Sequence, residues 1–331
     1  MSIIVNTNQQ RRPMNLRDLQ YVIAVADTGH FGRAAAACNV SQPTLSGQIL
    51  KLEAELGVSI FERAGRTVRV TGVGEAIVAH ARRAVGATED IIGAARANRD
   101  PLAGTLRLGV IPTLGPYLMP FVLPAVTKQL PSLRLALVED LTDHLVEMVR
   151  DGRLDAAIIA SEPEAHGLAT QPLFEEPFWV ALPPGHRLCA RKDVKCAELE
   201  ASSMLLLGDG HCLRDQALEL CGHPDLGSLA IADVRAASLE TLLNMVAAGY
   251  GMTISPGLVL ESRVFDRKYL ALRRLKGAHA SRRVRLIHRP NTPRLPAISA
   301  LAGLVRKHVP KSMRRLSGKA LGPAAKRPAP A

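Results

Sequence analysis

The stretch from residue 32 to residue 56 permits few folds, because it places a short helix, a turn and a capped helix in immediate succession. Small side chains dominate residues 32–38, which lets a second helix approach that segment closely. Residues 39–40 make the turn. Ser41 is a suitable N-cap, and Pro43 fits the first helical turn, where its missing N–H is tolerated. We therefore predict a helix-turn-helix.

The two faces of the second helix differ in chemistry. Leu45, Ile49, Leu52 and Leu56 recur at 4-3-4 spacing and are predicted to face the core. Polar side chains left outward near a helix start are typical of a helix that reads base edges in the major groove. The predicted DNA-contacting set of these two helices is Arg33, Ser41, Gln42, Pro43, Thr44, Ser46, Gln48 and Lys51. A merely solvated helix face is the alternative.

A wing follows the second helix. Residues 60–63 and 68–71 alternate like two strands around a short turn. The arginines of this wing are predicted to lie against phosphates or in a minor groove, and they are Arg63, Arg66 and Arg69. We predict that the winged helix-turn-helix spans residues 14–74 and that residues 1–13 are a disordered leader.

Residues 75–99 are predicted to form one long helix that starts after Gly72 and Gly74 close the wing. Its apolar stripe favours pairing with another helix, as in a dimer, although a solitary linker helix is the alternative. Residues 100–104 contain Pro and Gly and are predicted to be a hinge.

Beyond the hinge, strand-like runs begin near residues 106, 133 and 155 and are separated by helical segments. This alternation predicts a parallel α/β sheet. We predict an effector domain over residues 104–305, with lobe I at about 104–173 and 281–305 and lobe II at about 174–280.

Two cysteines, Cys212 and Cys221, lie nine residues apart on a predicted helix. A straight helix would hold their Cα atoms roughly 13 Å apart, whereas a disulfide needs about 5.5 Å. These cysteines therefore cannot pair unless the segment unwinds. A helix N-terminus with His211 and Arg214 nearby favours a reactive thiolate at Cys212, and Cys221 would capture its sulfenic acid. Two inert, buried cysteines are the alternative.

Composition narrows the class of protein. The net charge of +12 favours polyanionic partners, and an aromatic content of 3% argues against a surface that stacks single-stranded bases. Five scattered cysteines argue against a disulfide framework and a zinc site, so we predict no metal and no cofactor. No apolar run is long enough to cross a membrane, so a cytoplasmic protein is expected. Residues 306–331 hold eight Lys or Arg and no acid, which predicts a disordered basic tail.

Two groups of residues resemble a known family. Residues 31–35, 40–46 and 51–57 are similar to the DNA-binding domain of the LysR-type transcriptional regulators. Residues 210–217, with Cys221, resemble the redox segment of the peroxide-sensing members of that family. The resemblance implies an α/β multidomain fold with an N-terminal winged helix-turn-helix, a long linker helix and a C-terminal two-lobed, periplasmic-binding-protein-like effector domain.

The resemblance also implies a function. It implies a transcriptional activator of oxidative-stress genes that senses hydrogen peroxide through a reversible disulfide between Cys212 and Cys221. The implied peroxide pocket is Thr113, Thr142, His211, Asp215 and Arg282, although Arg283 and Arg285 compete for the arginine position. The implied partners are double-stranded promoter DNA, further copies of the chain as a dimer of dimers, RNA polymerase, and a thiol reductant such as glutaredoxin or thioredoxin.

Two other functions stay open at this point. A metabolite-responsive LysR-type regulator with inert cysteines would bind a small ligand in the cleft between the lobes. A thiol peroxidase would turn over peroxide at Cys212, but a DNA-binding module would then have no use, so we predict that the chain is not an enzyme.

Overall fold

A computed structural model describes residues 14–64, 67–97, 100–163, 167–221, 235–236, 238–262, 269–277 and 279–316. The chain divides into two compact units. One unit comprises the chain up to Ile92 together with residues 151–153, and the other comprises the rest. The predicted leader, residues 1–13, lies outside the described residues.

The first unit is a winged helix-turn-helix. Its elements are α1 (Leu16–Thr28), α2 (Phe31–Ala37), α3 (Gln42–Leu56), β1 (Phe61–Ala64), β2 (Thr67–Val70) and α4 (Gly72–Ala97), with β1 and β2 antiparallel. Ser41 caps α3 by accepting a hydrogen bond from the Thr44 backbone N–H at 3.3 Å. Leu45, Ile49 and Leu52 are buried against α1, which confirms the predicted core face. Leu56 was wrongly included, since it is 42% exposed at the last turn of α3.

The long helix α4 begins at Gly72, three residues before its predicted start. A Cβ at Gly74 would collide with the carbonyl oxygen of Ile60, so only glycine permits this close approach. The Gly74 backbone N–H donates to the Thr71 hydroxyl at 2.9 Å, which satisfies a free N–H in the first turn. These glycines therefore belong to the helix, and the prediction that they close the wing was wrong.

The second unit is the α/β effector domain. Its strands are β3 (Gly104–Val110), β4 (Leu133–Glu139), β5 (Ala156–Ile159), β6 (Ala169–Leu182), β7 (Asp193–Lys195), β8 (Leu206–Leu207), β9 (Arg235–Ala236), β10 (Thr253–Pro256), β11 (Ala271–Lys276), β12 (Ser281–His288) and β13 (Arg314–Arg315). Its helices are α5 (Gly115–Gln129), α6 (Thr142–Arg150), α7 (Cys212–Cys221), α8 (Leu239–Ala247), α9 (Leu258–Glu261) and α10 (Leu295–His308). Short 3-10 helices cover Arg187–Ala190, Cys196–Glu198 and Ala201–Ser203.

Strand β6 connects the two lobes of this unit. The main sheet has the order β4-β3-β5-β12-β6-β11-β7, and β10 and β13 also pair with β6. β3 is parallel to β4 and β5, as predicted, but β12 is antiparallel to both of its neighbours, so the sheet is mixed. The first half of β6 pairs with β12, and its second half pairs with β10 and β11. The predicted lobe boundary between residues 173 and 174 therefore falls inside one continuous strand.

The chain remains folded beyond residue 305. Val305, Val309 and Met313 are buried, and the Arg306 Nε donates to the Pro172 carbonyl oxygen at 3.0 Å. β13 then pairs with β6. The predicted disordered tail was thus wrong for residues 306–316, because the basic charges concealed apolar residues spaced four apart; residues 317–331 lie outside the described part. Among the described helices, none combines the length and apolarity needed to span a membrane.

Candidate functional site

Cys212 and Cys221 are the first and last residues of helix α7, so both lie on one helix as predicted. At about 1.5 Å per residue, the helix separates their Cα atoms by roughly 13 Å, which exceeds disulfide reach more than twofold. Gly210 has φ +86° and lets the chain turn sharply into α7. Both thiols are free in this structure.

Burial dominates the electrostatics of the Cys212 thiol and raises its pKa. The Arg282 charge, the Thr142 hydroxyl and the α7 backbone N–H oppose this effect, while Asp215 adds to it. Of the groups expected to acidify this thiol, the helix N-terminus does lower its pKa, but His211 and Arg214 are not among the groups that act on it. The Arg214 Nε pairs with Asp209 at 3.2 Å, and burial lowers the pKa of His211, which favours the neutral ring.

Arg282 is fixed by hydrogen bonds from three sides. Its Nε donates to Glu176 Oε2 at 2.8 Å, and its two terminal nitrogens donate to the hydroxyl and carbonyl oxygens of Thr113, each at 3.0 Å. The second Glu176 oxygen accepts from the Leu258 backbone N–H at 2.7 Å. Arg282 and Glu176 are both almost fully buried, so the guanidinium is held as a fixed charge beside the thiol.

The competing arginines point elsewhere. Arg283 is exposed, and Arg285 forms an ion pair with Glu162. Of these three neighbours on β12, Arg282 is the one whose charge acts on the Cys212 thiol.

The Thr142 hydroxyl is the least satisfied group at the site. Thr142 begins α6, is 8% exposed and lies near enough to the Cys212 thiol to lower its pKa. Its Oγ1 nevertheless has no hydrogen-bond partner of ordinary geometry among the described residues. Buried polar atoms are nearly always satisfied by protein, water or ligand. A hydroxyl can donate one hydrogen bond and accept two, so the Thr142 oxygen retains hydrogen-bonding capacity beside the thiol.

The remaining predicted residues lie around the thiol with different roles. Thr113 is buried and engaged with Arg282. Asp215 lies three residues after Cys212, on the exposed side of α7. Its pKa is raised mainly by partial burial and also by the charges of Asp143 and Asp209, while the charge of Arg214 opposes the increase.

Sequence reasoning missed a buried tyrosine near Arg282 and the two carboxylates around it. The pKa of Tyr117 is raised by burial and by the Glu240 carboxylate, and that of Glu139 is raised by burial and by the same carboxylate. Arg282 partly offsets the effect on Tyr117. These residues come from α5, β4 and α8, so no local sequence pattern connects them.

Sequence reasoning also gave no partner to Cys189 and Cys196. The Cys196 thiol makes a hydrogen-bonding contact with the Cys221 thiol. Cys189 instead donates to the Pro183 carbonyl oxygen at 3.6 Å. The described residues contain no group of three or more His, Cys, Asp or Glu placed to hold a metal ion.

In the first unit, the predicted DNA-contacting side chains lie mostly on the exposed surface. Gln42, Pro43, Thr44, Gln48 and Lys51 are exposed on α3, and Ser46 is half-buried. Arg33 is exposed, and its guanidinium donates to the Thr28 carbonyl oxygen. On the wing, Arg69 is exposed opposite Glu62 of β1; Arg66 and the side chain of Arg63 lie outside the described part.

Comparison with known families identifies both units. Residues 16–75 match the bacterial regulatory helix-turn-helix of the lysR family, and residues 99–310 match the LysR substrate binding domain. The chain belongs to the LysR family.

Several LysR relatives are similar over nearly their whole length. The hydrogen peroxide-inducible genes activator of Dickeya chrysanthemi is 40% identical over 92% of this chain and 99% of its own. The transcriptional dual regulator OxyR of Escherichia coli K12 is 40% identical over 88% of this chain and 95% of its own. A full-length OxyR variant from Pseudomonas aeruginosa is 39% identical and has a TM-score of 0.75 over 90% of this chain and 97% of its own. An OxyR variant from Corynebacterium glutamicum with bound hydrogen peroxide is 33% identical over 91% and 94%, with a TM-score of 0.58. Among LysR proteins, this chain thus falls in the OxyR group.

Proposed function

We propose that this LysR protein is a DNA-binding transcriptional activator that senses hydrogen peroxide through Cys212 and Cys221. The names of its OxyR-group relatives support a peroxide response. The observation that carries the proposal is the buried Thr142 hydroxyl, which faces the Cys212 thiol, lowers its pKa and has no other hydrogen-bond partner among the described residues.

Hydrogen peroxide can make the hydrogen bonds that the Thr142 hydroxyl still lacks. It both donates and accepts hydrogen bonds, so it satisfies the Thr142 hydroxyl while one oxygen approaches the sulfur. The Arg282 charge stabilises the thiolate that burial disfavours. Thr113 positions Arg282, while His211 and Asp215 border the pocket.

The reaction then proceeds in two steps. The Cys212 thiolate attacks one peroxide oxygen; the S–O bond forms, the O–O bond breaks, and the leaving hydroxide takes up a proton to become water. Cys212 is now a sulfenic acid. The Cys221 thiolate attacks that sulfur, an S–S bond forms, and the sulfenic oxygen leaves as a second water. The protein has lost two electrons and the peroxide has gained them.

The second step requires a change of shape. Since α7 holds the two cysteines roughly 13 Å apart, the helix must unwind before the sulfurs meet. Leu213 and Ala217 are buried on α7 and would leave their packing. Thiol oxidation is thereby converted into a rearrangement of the effector domain.

The rearrangement of the effector domain then changes DNA binding. The exposed α3 residues and Arg69 form the surface that contacts promoter DNA. On α4, Ile91 and Ile92 are 70% and 52% exposed, which suits pairing with a second copy of the chain. Assembly as a dimer of dimers, contact with RNA polymerase, and reset by a reductant such as glutaredoxin or thioredoxin belong to this proposal.

Peptide mapping combined with hydrogen exchange tests the chemical step. Peroxide treatment of the full chain should join Cys212 to Cys221 and increase amide exchange across α7. Cys221→Ser should stop at Cys212 sulfenic acid and leave α7 protected, while Cys189→Ser should behave like the unsubstituted chain. A Cys212–Cys221 disulfide with unchanged α7 exchange would refute the unwinding step.

Footprinting tests the output. Genomic fragments retained by the unsubstituted chain provide the DNA, so no target needs to be known beforehand. Peroxide should shift the footprint of the unsubstituted chain and leave that of Cys212→Ser unchanged. A footprint shift that persists in Cys212→Ser would refute Cys212 as the sensor. If the footprint responded to a small metabolite and not to peroxide, the chain would belong to another class of LysR regulator.

A further inference from the structure

A second pair of sulfurs lies at the far end of α7 from the peroxide pocket. Cys196 opens the short 3-10 helix Cys196–Glu198, and Cys221 closes α7. Helix α7 packs against this 3-10 helix, both cysteines are half-buried, and their thiols lie close enough to change each other's pKa. Cys221 therefore has a neighbouring thiol that it reaches while α7 remains helical, unlike Cys212.

This pair lies beside a cavity of about 310 Å³. Cys196 lines the cavity directly, and Leu220, the neighbour of Cys221, also lines it. A small molecule in this cavity thus has access to the Cys196 sulfur.

The surroundings of the cavity are cationic. Lys195 and Lys276 line it, and Lys192 and Arg274 act electrostatically on Asp193 at the same edge. Lys276 is paired with Asp193 at 2.7 Å, whereas Lys195 is exposed and has no ion pair in the described part of the chain. Positive charge around a cavity concentrates anions within it.

The two thiols differ in how easily they ionise. Hydrogen bonding from Cys221 lowers the pKa of Cys196, and the same contact, with burial, raises the pKa of Cys221. Cys196 therefore loses its proton more readily than an isolated thiol does. Because the thiolate is the reactive form, Cys196 is the nucleophile of the pair.

We propose that Cys196 and Cys221 form a second thiol–disulfide couple, which is oxidised by an anionic low-molecular-weight disulfide bound in the cavity. The geometric basis is the contact between the two thiols and the lysine-lined cavity at Cys196.

The chemistry balances with that disulfide as oxidant. The Cys196 thiolate attacks one sulfur of the small disulfide, a mixed disulfide forms, and the first small thiolate leaves. Cys221 gives its proton to that leaving thiolate or to water and attacks the Cys196 sulfur. The Cys196–Cys221 bond forms and the second small thiolate leaves. The two protein thiols lose two electrons, and the small disulfide is reduced to two thiols.

The consequence for regulation rests on the proposed function. Once bound to Cys196, Cys221 is no longer available to capture a sulfenic acid at Cys212. The second couple thus disables the peroxide switch while leaving α7 wound, so general disulfide stress and peroxide produce different states of the same protein.

The test uses the full chain carrying Cys212→Ser, which removes the peroxide reaction. Oxidised glutathione is the anionic probe and cystamine is the cationic one. Oxidised glutathione should produce a Cys196–Cys221 disulfide in the peptide map without added hydrogen exchange across α7. It should react about tenfold faster than cystamine, and Lys195→Glu should remove most of that preference.

Matched variants complete the test. In the Cys212→Ser background, Cys196→Ser should abolish the disulfide and Cys189→Ser should leave it unchanged. If Cys212→Ser fails to fold, the same map of the unsubstituted chain serves instead. Absence of the Cys196–Cys221 disulfide overturns the inference, as does equal reactivity with both probes. Neither result bears on the proposed function, which is tested separately by the peroxide-dependent disulfide at Cys212 and by the footprint of Cys212→Ser.

Discussion

Arg282 donates hydrogen bonds to both oxygens of Thr113, one on the side chain and one on the backbone, and each is 3.0 Å long. The same guanidinium binds Glu176, which is wholly buried in β6. The charge that acts on Cys212 is therefore held by the frame of the domain, and it would not move with the sulfur in the proposed unwinding of α7. The electrostatic effect of Arg282 on the Cys212 sulfur would therefore differ between the reduced and oxidised states.

Replacing Arg282 should cost both stability and thiol acidity. Arg282→Ala leaves Glu176 as an unpaired buried carboxylate, which we expect to reduce the free energy of unfolding by about 3–5 kcal/mol. It should also raise the pKa of Cys212 further, since Arg282 is the largest effect opposing burial. Urea denaturation and the pH dependence of thiol alkylation measure the two effects.

Two matched variants distinguish the effect of the Arg282 charge from the effect of its hydrogen-bonding geometry. Arg282→Lys keeps the charge but loses the paired bonds to Thr113, so alkylation should be less affected than in Arg282→Ala while stability still falls. Arg283→Ala, at the exposed neighbouring position, should change neither quantity. Equal alkylation profiles for the Ala and Lys variants would contradict a role for the charge.

Thr142→Val should slow the peroxide reaction with little loss of stability. The hydroxyl has no ordinary hydrogen-bond partner among the described residues, so its removal breaks no such bond of the reduced fold. Its effect on the thiolate is lost, however, and we expect about a tenfold decrease in the rate of Cys212 oxidation. Stopped-flow kinetics would measure it. Thr142→Ser keeps the hydroxyl and should retain most of the rate; a slow Ser variant would assign the defect to packing.

Gln48 and Arg69 should affect DNA binding in different ways. Gln48→Ala removes the proposed base-edge contact and should weaken binding to selected fragments by about 1–3 kcal/mol, with little effect on random DNA. Arg69→Ala removes the proposed phosphate contact and should weaken binding to all sequences while reducing the salt slope by about one. Fluorescence titrations at several salt concentrations distinguish them. Arg17→Ala, an exposed charge on α1 over Tyr21, is the control and should leave both parameters unchanged.

His288 should make the effector domain less stable in mild acid. Burial lowers its pKa, its Nδ1–H donates to the Arg289 carbonyl oxygen at 2.8 Å, and Gln171 donates to its Nε2 at 3.2 Å. The unfolded chain binds the proton first as the pH falls below about 6.5, so stability decreases from there down to the folded pKa.

Urea midpoints between about pH 7.5 and about pH 5 test this expectation. His288→Gln should flatten the decrease, whereas His144→Gln, at an exposed position on α6, should not. If stability rose on acidification through this interval in a manner that His288→Gln abolished, the sign of the linkage would be wrong.

Local signals predicted most of the elements in this chain. The helical segments expected between the first three strands of the effector domain are α5 and α6, and Cys212 and Cys221 lie on one helix, α7, as predicted. Ser41 and Pro43 fixed the start of α3, because caps and prolines act within one turn.

The groups that set the chemistry of the thiol could not be predicted in this way. Burial of Cys212 depends on the packing of α7 against distant elements, so an argument from neighbouring charges gave His211 and Arg214, and only the family resemblance named Arg282 and Thr142. Cys196 reaches Cys221 through a fold contact across 25 positions, and no spacing rule connects them.

Strand β6 restricts how the two lobes of the effector domain can move relative to each other. It is hydrogen-bonded to β12 in one lobe and to β10 and β11 in the other, with β13 along its edge. Because this one strand runs through both lobes, a hinge motion between them would have to bend β6 together with its partner strands. Helix α7 is not part of that sheet and is joined to its neighbours by side-chain contacts, including a hydrogen bond of 2.6 Å from Gln216 to the Ala160 carbonyl oxygen. Oxidation at the sulfur can therefore displace α7 while the strand ladder of the domain stays intact.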